Sequence, residues 1–207
     1  MRRRVFDRLM SWAGLVLVVV LVAAGGLLMW GWSFTHSTVH NQLAEQQIYF
    51  PPKSAFAHAK PGTEITPSMI PSVSQYAGQQ LLTGPQAEAY ANHFIAVHLS
   101  EMPYGGVYSK VSAAALAHPN NSKLQTLKQT SFQGTTLRGL LLEAYAFWTI
   151  GTIMFWAAIA SLCLAAILAT LVGLGFRHAR RTPAEAEVLM ARRSRPRGSA
   201  HPHAEPG

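Results

Sequence analysis

Charged residues and cysteine are scarce in this chain of 207 residues. Only 13% of the residues are charged, and the formal net charge is +8 because 17 Lys and Arg face only 9 Asp and Glu. So little charge beside 49% hydrophobic residues excludes a chain that is disordered throughout, since such chains are polar and highly charged. The single cysteine, Cys163, has no partner in the chain, which excludes a scaffold held by intrachain disulfides.

Two long tracts without a charge hold much of the apolar content, one at 9–34 and one at 144–176. A bilayer core about 30 Å thick needs about 20 apolar helical residues, so each tract is long enough to cross. Trp12 and Trp30 lie about 27 Å apart along a helix, a spacing that fits two interfacial aromatic belts. If Arg177 marks one face of the bilayer, the second crossing begins near Trp156, and the helix before it stands above the membrane. A cleavable signal peptide is the alternative for the first tract, but its apolar stretch continues past the possible cleavage site, which favours an uncleaved anchor.

The arginines indicate the orientation of these two crossings. Segment 33–143 contains one arginine, with five lysines and five glutamates, so its net charge is only +1. The positive-inside rule therefore places both termini in the cytoplasm and the middle of the chain outside, which makes nucleic-acid binding an unneeded explanation of the basic charge. The arginines nearest the crossings either contact anionic lipid headgroups or act only as the topology signal: they are Arg2, Arg3, Arg4, Arg8, Arg177, Arg180 and Arg181.

These observations predict an all-α protein of the plasma membrane, with two transmembrane helices and a small helical extracytoplasmic domain between them. The predicted parts are a cytoplasmic basic N-terminus at 1–8, a transmembrane helix at 9–34, the extracytoplasmic helical domain at 35–143, an interfacial helix with the second transmembrane helix at 144–176, and a cytoplasmic basic tail, partly disordered, at 177–207.

Proline, glycine and asparagine divide the middle segment into predicted helices. They lie at 35–49, as a continuation of the first crossing, and at 84–102, 108–117 and 122–132. Gly134 is expected to break the last of these, with Thr135 or Thr136 capping the helix that enters the membrane. A brief strand pairing is possible at 48–50, and a capping-box spacing predicts a short helix at about 182–193. The predicted core is Leu43, Ile65, Ile70, Tyr76, Phe94, Val97, Tyr108, Leu116, Leu124, Leu127, Phe132, Leu137 and Leu141.

Small residues recur every four positions along the second tract, which places them on one helical face. Such a face lets helices approach closely in lipid. It either packs on small residues of the first tract or binds another membrane protein or a second copy of the chain. The members of this predicted seam are Ala157, Ser161, Ala165, Ala169 and Gly173.

Histidines are the strongest candidates for a chemically active site in this sequence. His36 and His40 are four residues apart, and His93 and His98 lie on one predicted helix with Glu101 nearby, so three of the five could bind zinc or copper. The spacing matches no catalytic motif such as H-E-x-x-H. The alternative is that the first pair lies at the lipid headgroups and that one histidine of the second pair packs against the core. We therefore predict no catalytic residue, cofactor or resident metal.

Three stretches resemble a group of actinobacterial two-span membrane proteins of unknown function. They are Leu43-Ala-Glu-Gln-Gln-Ile-Tyr49 after the first crossing, Gly84-Pro-Gln-Ala-Glu-Ala-Tyr-Ala91 at the start of a helix, and Thr130-Ser-Phe132 before the second crossing. Some such proteins are labelled aromatic ring-opening dioxygenases. Non-haem iron dioxygenases hold iron with two histidines and a carboxylate. Nothing in the chain singles out such a triad, so the resemblance implies topology and location in the cell envelope but no activity.

The sequence thus favours a non-catalytic accessory, scaffold or assembly factor of the cell envelope that acts through its extracytoplasmic helical domain and its small-residue transmembrane seam, with a membrane-protein partner or a second copy of itself. A sensor of an extracytoplasmic ligand is the first alternative, because a helical domain between two crossings suits that role. A metal-binding protein or metal-dependent oxygenase is the second alternative.

Overall fold

The structure, a computed structural model, describes residues 3–181, which are helical for most of their length. The α-helices are α1 Arg3–Gln46, α2 Lys53–Ala57, α3 Ile70–Val73, α4 Gly84–Tyr90, α5 Ala96–Glu101, α6 Tyr108–Ala117 and α7 Ser122–Arg181. Tighter 3₁₀ turns occupy Pro67–Met69 and Ser74–Tyr76, and a wider π-helical turn occupies Ala91–Ile95. Pro103–Gly106 forms an irregular turn in which Tyr104 and Gly105 have left-handed φ angles of 61° and 65°. The helix predicted at about 182–193 and the partly disordered tail fall largely or wholly outside the described residues.

Helices α1 and α7 are both long and apolar enough to cross a membrane. In the most apolar window of each helix, only 6% of the residues are buried in α1 and 17% in α7. The central helix of a soluble protein would be mostly buried, because its apolar side chains must leave water. Most of the apolar surface of both helices is thus not covered by other parts of this chain.

Helix α1 continues past its apolar tract, as predicted for 35–49, and ends at Gln46. Gln47 follows with a left-handed φ of 52°, which stops the helix three residues before the predicted end. The brief pairing that the sequence allows at 48–50 occurs as a single antiparallel bridge between Tyr49 and Gln80. Two backbone hydrogen bonds of 2.9 Å flank the bridge, so this turn is joined to the chain just before α4.

The helix predicted at 84–102 begins and ends as expected but contains the π-helical turn. Thr83 starts it with a capping box, in which its hydroxyl accepts from the Gln86 backbone and the Gln86 side chain accepts from the Thr83 backbone. The π turn was not predicted. Widening by one residue shifts the side chains after Tyr90 around the helix axis.

The predicted break at Gly134 is wrong, because α7 runs without interruption from Ser122 to Arg181. A Cβ atom on Gly134 would lie 2.8 Å from Leu99 Cδ2, so the glycine allows close packing of α5 on α7. Glycine costs a helix only about 1 kcal/mol relative to alanine, which tertiary packing readily offsets. Close by, the fully buried Ser131 hydroxyl donates a 2.6 Å hydrogen bond to the Gly106 carbonyl and joins the Pro103–Gly106 turn to α7.

The core lies between α1, α7 and the segments around α2 to α5. Of the predicted core residues, Leu43, Ile65 and Leu141 are buried there, and five more pack against it half-buried: Ile70, Tyr76, Phe94, Val97 and Leu137. Leu124 and Leu127 are half-buried on α7. The sequence missed several residues of the centre, notably Phe50, Met69, Val73 and Leu81.

Three predicted core residues are exposed, and their assignment to the core is wrong: Tyr108, Leu116 and Phe132. On α6 the buried side chains are Val111 and Ala115. Because successive residues turn by about 100° around a helix, Leu116 points away from that face, and it is 73% exposed.

The chain divides into two compact units, which we describe separately. The paired-helix unit contains Met1–Ala23 and Ser161–Gly207, and the domain unit contains Ala24–Ala160. Each long helix contributes one part to each unit.

Candidate functional site

The domain unit contains a groove between α1 and α7, which we name the Phe34–Phe147 groove. Its volume is about 410 Å³. Three of its large apolar side chains are well exposed, Phe34 at 57%, Leu140 at 54% and Phe147 at 50%. The residues that line the groove are Phe34, Thr35, Thr38, Val39, Gln42, Leu43, Gln46, Leu140, Glu143, Ala144 and Phe147.

The lining combines apolar side chains with uncharged polar ones and carries a single charge, Glu143. Thr38, Gln42 and Gln46 recur every four residues, so they form one polar strip along α1. This arrangement suits an apolar or amphipathic occupant, because exposed apolar side chains supply contact area and amides and hydroxyls fix its orientation.

Close packing of α1 on α7 holds the two walls of the groove together. A Cβ atom on Gly151 would lie 2.6 Å from His36 Nδ1, so only glycine fits at this crossing. The His36 ring lies 4.0 Å from the Trp148 ring, and Trp32 lies 5.1 Å from Phe155. Gly84, at the start of α4, packs directly on the Trp148 side chain in the same way. Aromatic and glycine contacts thus hold together the helices that form the groove.

A polar relay links α4, the π turn and α7. Arg138 donates a 2.8 Å hydrogen bond to Asn92 Oδ1, and Asn92 Nδ2 donates a 2.9 Å bond to Glu88 Oε1. Arg138 Nε is buried and has no hydrogen-bond partner among the residues that the structure describes. The amide of Asn92 therefore mediates between a guanidinium and a carboxylate, and it lies within the π turn. Because Arg138 is the only arginine of 33–143, the sequence marks it as unusual, but nothing in the sequence identifies its partner.

A row of rings lies beside this relay in the domain core. Phe50 contacts Tyr76 and Tyr90 at 5.1 and 5.4 Å, and Tyr90 contacts Phe94 at 4.7 Å. Burial raises the pKa of the Tyr90 phenol, and the negative charge of Glu64 raises it further. The phenol therefore stays neutral well into alkaline solution, and the row has a packing role.

The histidines proposed as metal ligands do not assemble. His36 is half-buried with its Nδ1 3.1 Å from the Trp32 carbonyl, while His40 is exposed. His93 and His98 are half-buried, and His98 Nδ1 lies 2.8 Å from the Phe94 carbonyl, whereas Glu101 is exposed. Among the residues that the structure describes, no three His, Cys, Asp or Glu side chains are grouped so that they could hold a metal ion.

The predicted seam follows the contact face of α7 for only part of its length. In the paired-helix unit the Ser161 hydroxyl donates a 2.9 Å hydrogen bond to the Leu21 carbonyl, and Ala165 is buried. Ala169 and Gly173 are exposed. Ala157 is half-buried in the domain unit.

The contact face turns away from the seam for a geometric reason. Four residues turn a helix by about 400°, so a strict spacing of four drifts about 40° at each step. The less exposed residues instead alternate in steps of four and three, the spacing of left-handed helix pairing: they are Ser161, Ala165, Leu168, Val172, Gly175 and Ala179.

Of the arginines proposed to contact lipid, four have described side chains. Arg8, Arg177, Arg180 and Arg181 are all exposed. Arg8 and Arg180 line a common cavity of the paired-helix unit. Arg2 lies outside the described residues, and only the helical backbone is described for Arg3 and Arg4.

Comparison of the chain with protein-family models, with curated proteins and with solved structures finds no match.

Proposed function

We propose that this protein is an integral plasma-membrane protein with two crossings, and that it acts without catalysis as an accessory, scaffold or assembly factor for another membrane protein. The exposed apolar surface of α1 and α7 supports the membrane location. The arginine distribution supports cytoplasmic ends and an extracytoplasmic domain at 35–143.

The Phe34–Phe147 groove carries the proposal of a partner. Its α1 wall begins at the end of the first apolar tract, so a partner helix that leaves the bilayer beside α1 would run directly into it. Exposed Phe34, Leu140 and Phe147 supply apolar area, and the Thr38, Gln42 and Gln46 strip supplies hydrogen bonds. A helix laid into an apolar groove is a common mode of recognition.

Site-specific photocrosslinking in living cells tests this role. A photoreactive residue at Thr38, in the groove, should yield one adduct of defined mass, whereas the same residue at Ser37 should not. Ser37 is the matched control, because it is exposed on the same helix but does not line the groove. Leu140→Asp should abolish the Thr38 adduct, since a charge would have to be desolvated on docking. Equal crosslinking at both positions, or no adduct at Thr38, would contradict the proposal, and an adduct with a second copy would assign the groove to self-association.

The size of the groove favours a sensor as the second candidate. About 410 Å³ lies within the range of small-molecule sites, and both long helices line it, so a ligand there would contact both at once. A small apolar ligand that raises the melting temperature of the purified protein, and that loses this effect in Leu140→Asp, would favour the sensor. The Thr38 crosslink would then be absent.

A further inference from the structure

The paired-helix unit contains a second, basic cavity of about 200 Å³. Arg8 and Trp12 of α1 line one side, and Phe176, Ala179 and Arg180 of α7 line the other. The Trp12 and Phe176 rings meet edge to face, with their centroids 6.0 Å apart. Ala179 is only 6% exposed, whereas both arginines are exposed. Arginine side chains from two different helices thus line one cleft with an aromatic wall.

The chemistry of this cleft suits a phosphate group. Arginine presents planar, paired N–H donors that match phosphate oxygens, and two such groups can divide one phosphodiester between them. Among the side chains that the structure describes, no carboxylate lines the cavity, since Asp7, the neighbouring acid, lines a separate groove. Tryptophan is typical of the membrane interface, the depth at which lipid phosphates lie.

We propose that this cavity binds the phosphate headgroup of an anionic phospholipid in the cytoplasmic leaflet. A lipid rather than a soluble phosphate is favoured because the aromatic wall of the cavity is itself uncovered. Trp12 is 56% exposed, and an acyl chain would cover it. The inference rests on the membrane location proposed above, but it is independent of the partner in the Phe34–Phe147 groove.

Two other arginines of α7 supply a matched control. Arg177 and Arg181 are exposed and near in sequence, but neither lines the cavity. Replacing both by glutamine therefore removes the same net charge as replacing Arg8 and Arg180. If the cavity is a defined site, the two double variants differ. If the arginines act only through their summed charge, they behave alike.

Native mass spectrometry of the full chain in a mild detergent measures the difference. Phosphatidylglycerol should bind the wild-type protein more tightly than phosphatidylcholine does. Arg8→Gln with Arg180→Gln should weaken phosphatidylglycerol binding by about 100-fold, because each arginine gives up charge-assisted hydrogen bonds to the phosphate that are worth about tenfold. Arg177→Gln with Arg181→Gln should leave it within about twofold of the wild type, because exposed charges outside the cavity are screened by solvent. Equal losses in the two double variants, or no loss in the first, would overturn the proposal.

Two further measurements test whether the loss of binding comes from misfolding and whether the ligand is a soluble phosphate. Arg180→Lys keeps the charge and the fold but loses the paired donors, so it should weaken phosphatidylglycerol binding by about fivefold. Unchanged binding in that variant would contradict a phosphate held by paired donors. Inorganic phosphate at millimolar concentration should not displace the lipid. Displacement would assign the cavity to a soluble phosphate and contradict the lipid proposal.

Discussion

Arg138 is half-buried at one end of a chain of hydrogen bonds in the domain unit. It reaches the Glu88 carboxylate only through the amide of Asn92, while its own Nε is buried without a partner among the described residues. A buried polar group that loses its partner retains the full cost of desolvation. The amide is therefore more important to stability than either of its two short hydrogen bonds suggests.

Asn92→Leu should lower the free energy of unfolding by about 2 kcal/mol, because it leaves Arg138 and Glu88 without their common partner. Thermal unfolding of the purified protein in detergent measures the loss as a lower melting temperature. Gln129→Leu, an exposed polar-to-apolar change on α7, is the control and should have little effect. A double variant that also carries Arg138→Met should lose less than the sum of the two single losses. Strict additivity would mean that the two side chains do not act together.

At the scale of elements, α7 shows how helices pack when small residues recur along them. Ser161 and Ala165 lie on the face that meets α1, whereas Ala169 and Gly173 are exposed. Two alanines four residues apart on one helix thus have different surroundings. Substitutions at these two alanines can therefore test the stability of the helix pair and its association with another helix separately.

Ala165→Leu should lower the melting temperature of the protein in detergent, because the larger side chain would be forced into a closed helix contact, at a typical cost of about 1–3 kcal/mol. Ala169→Leu should leave the melting temperature unchanged, since its side chain enters open space. If the exposed part of the seam binds a second copy or a partner, Ala169→Leu should instead reduce crosslinking in the membrane. Equal destabilisation by both substitutions would contradict the contact face described here.

The sequence predicted the helices well and the site poorly, for reasons that particular residues make clear. Proline and a capping threonine are local signals, so the start of α4 at Gly84 was predictable. The helix break predicted at Gly134 was wrong, because the role of this glycine depends on its contact with Leu99, thirty-five residues away. The predicted seam matched the contact face only in part, because a spacing of four describes a single helix, whereas the packing of two helices determines a contact face. The Phe34–Phe147 groove could not be predicted, since its walls are distant in sequence and only folding brings them together.

For the whole molecule, the decisive property is which side of a membrane each part faces. The apolar windows of α1 and α7 are largely uncovered, while the described part of 35–143 has a buried core of its own. The proposed topology places that core outside the cytoplasm and both basic ends inside. It predicts that Ser122 lies outside the cell and Ser199 in the cytoplasm, and labelling of intact cells can check both locations.

Cysteine labelling tests the topology. In a Cys163→Ala background, Ser122→Cys should react with a membrane-impermeant maleimide in intact cells, because Ser122 is exposed in the part expected outside. Ser199→Cys, in the basic tail, should react only after lysis. Reaction of both positions, or of Ser199→Cys alone, in intact cells would contradict the orientation. A protein that remains in solution without detergent would contradict membrane insertion altogether.

The unbroken course of α7 also has a consequence for biosynthesis. Four residues of α7 join the earlier segments to it: Ser131, Arg138, Leu141 and Trp148. As the ribosome makes the chain, the segments from α2 to α6 emerge long before these anchoring side chains exist. The domain therefore stays incomplete, with apolar surface uncovered, until translation has passed Trp148.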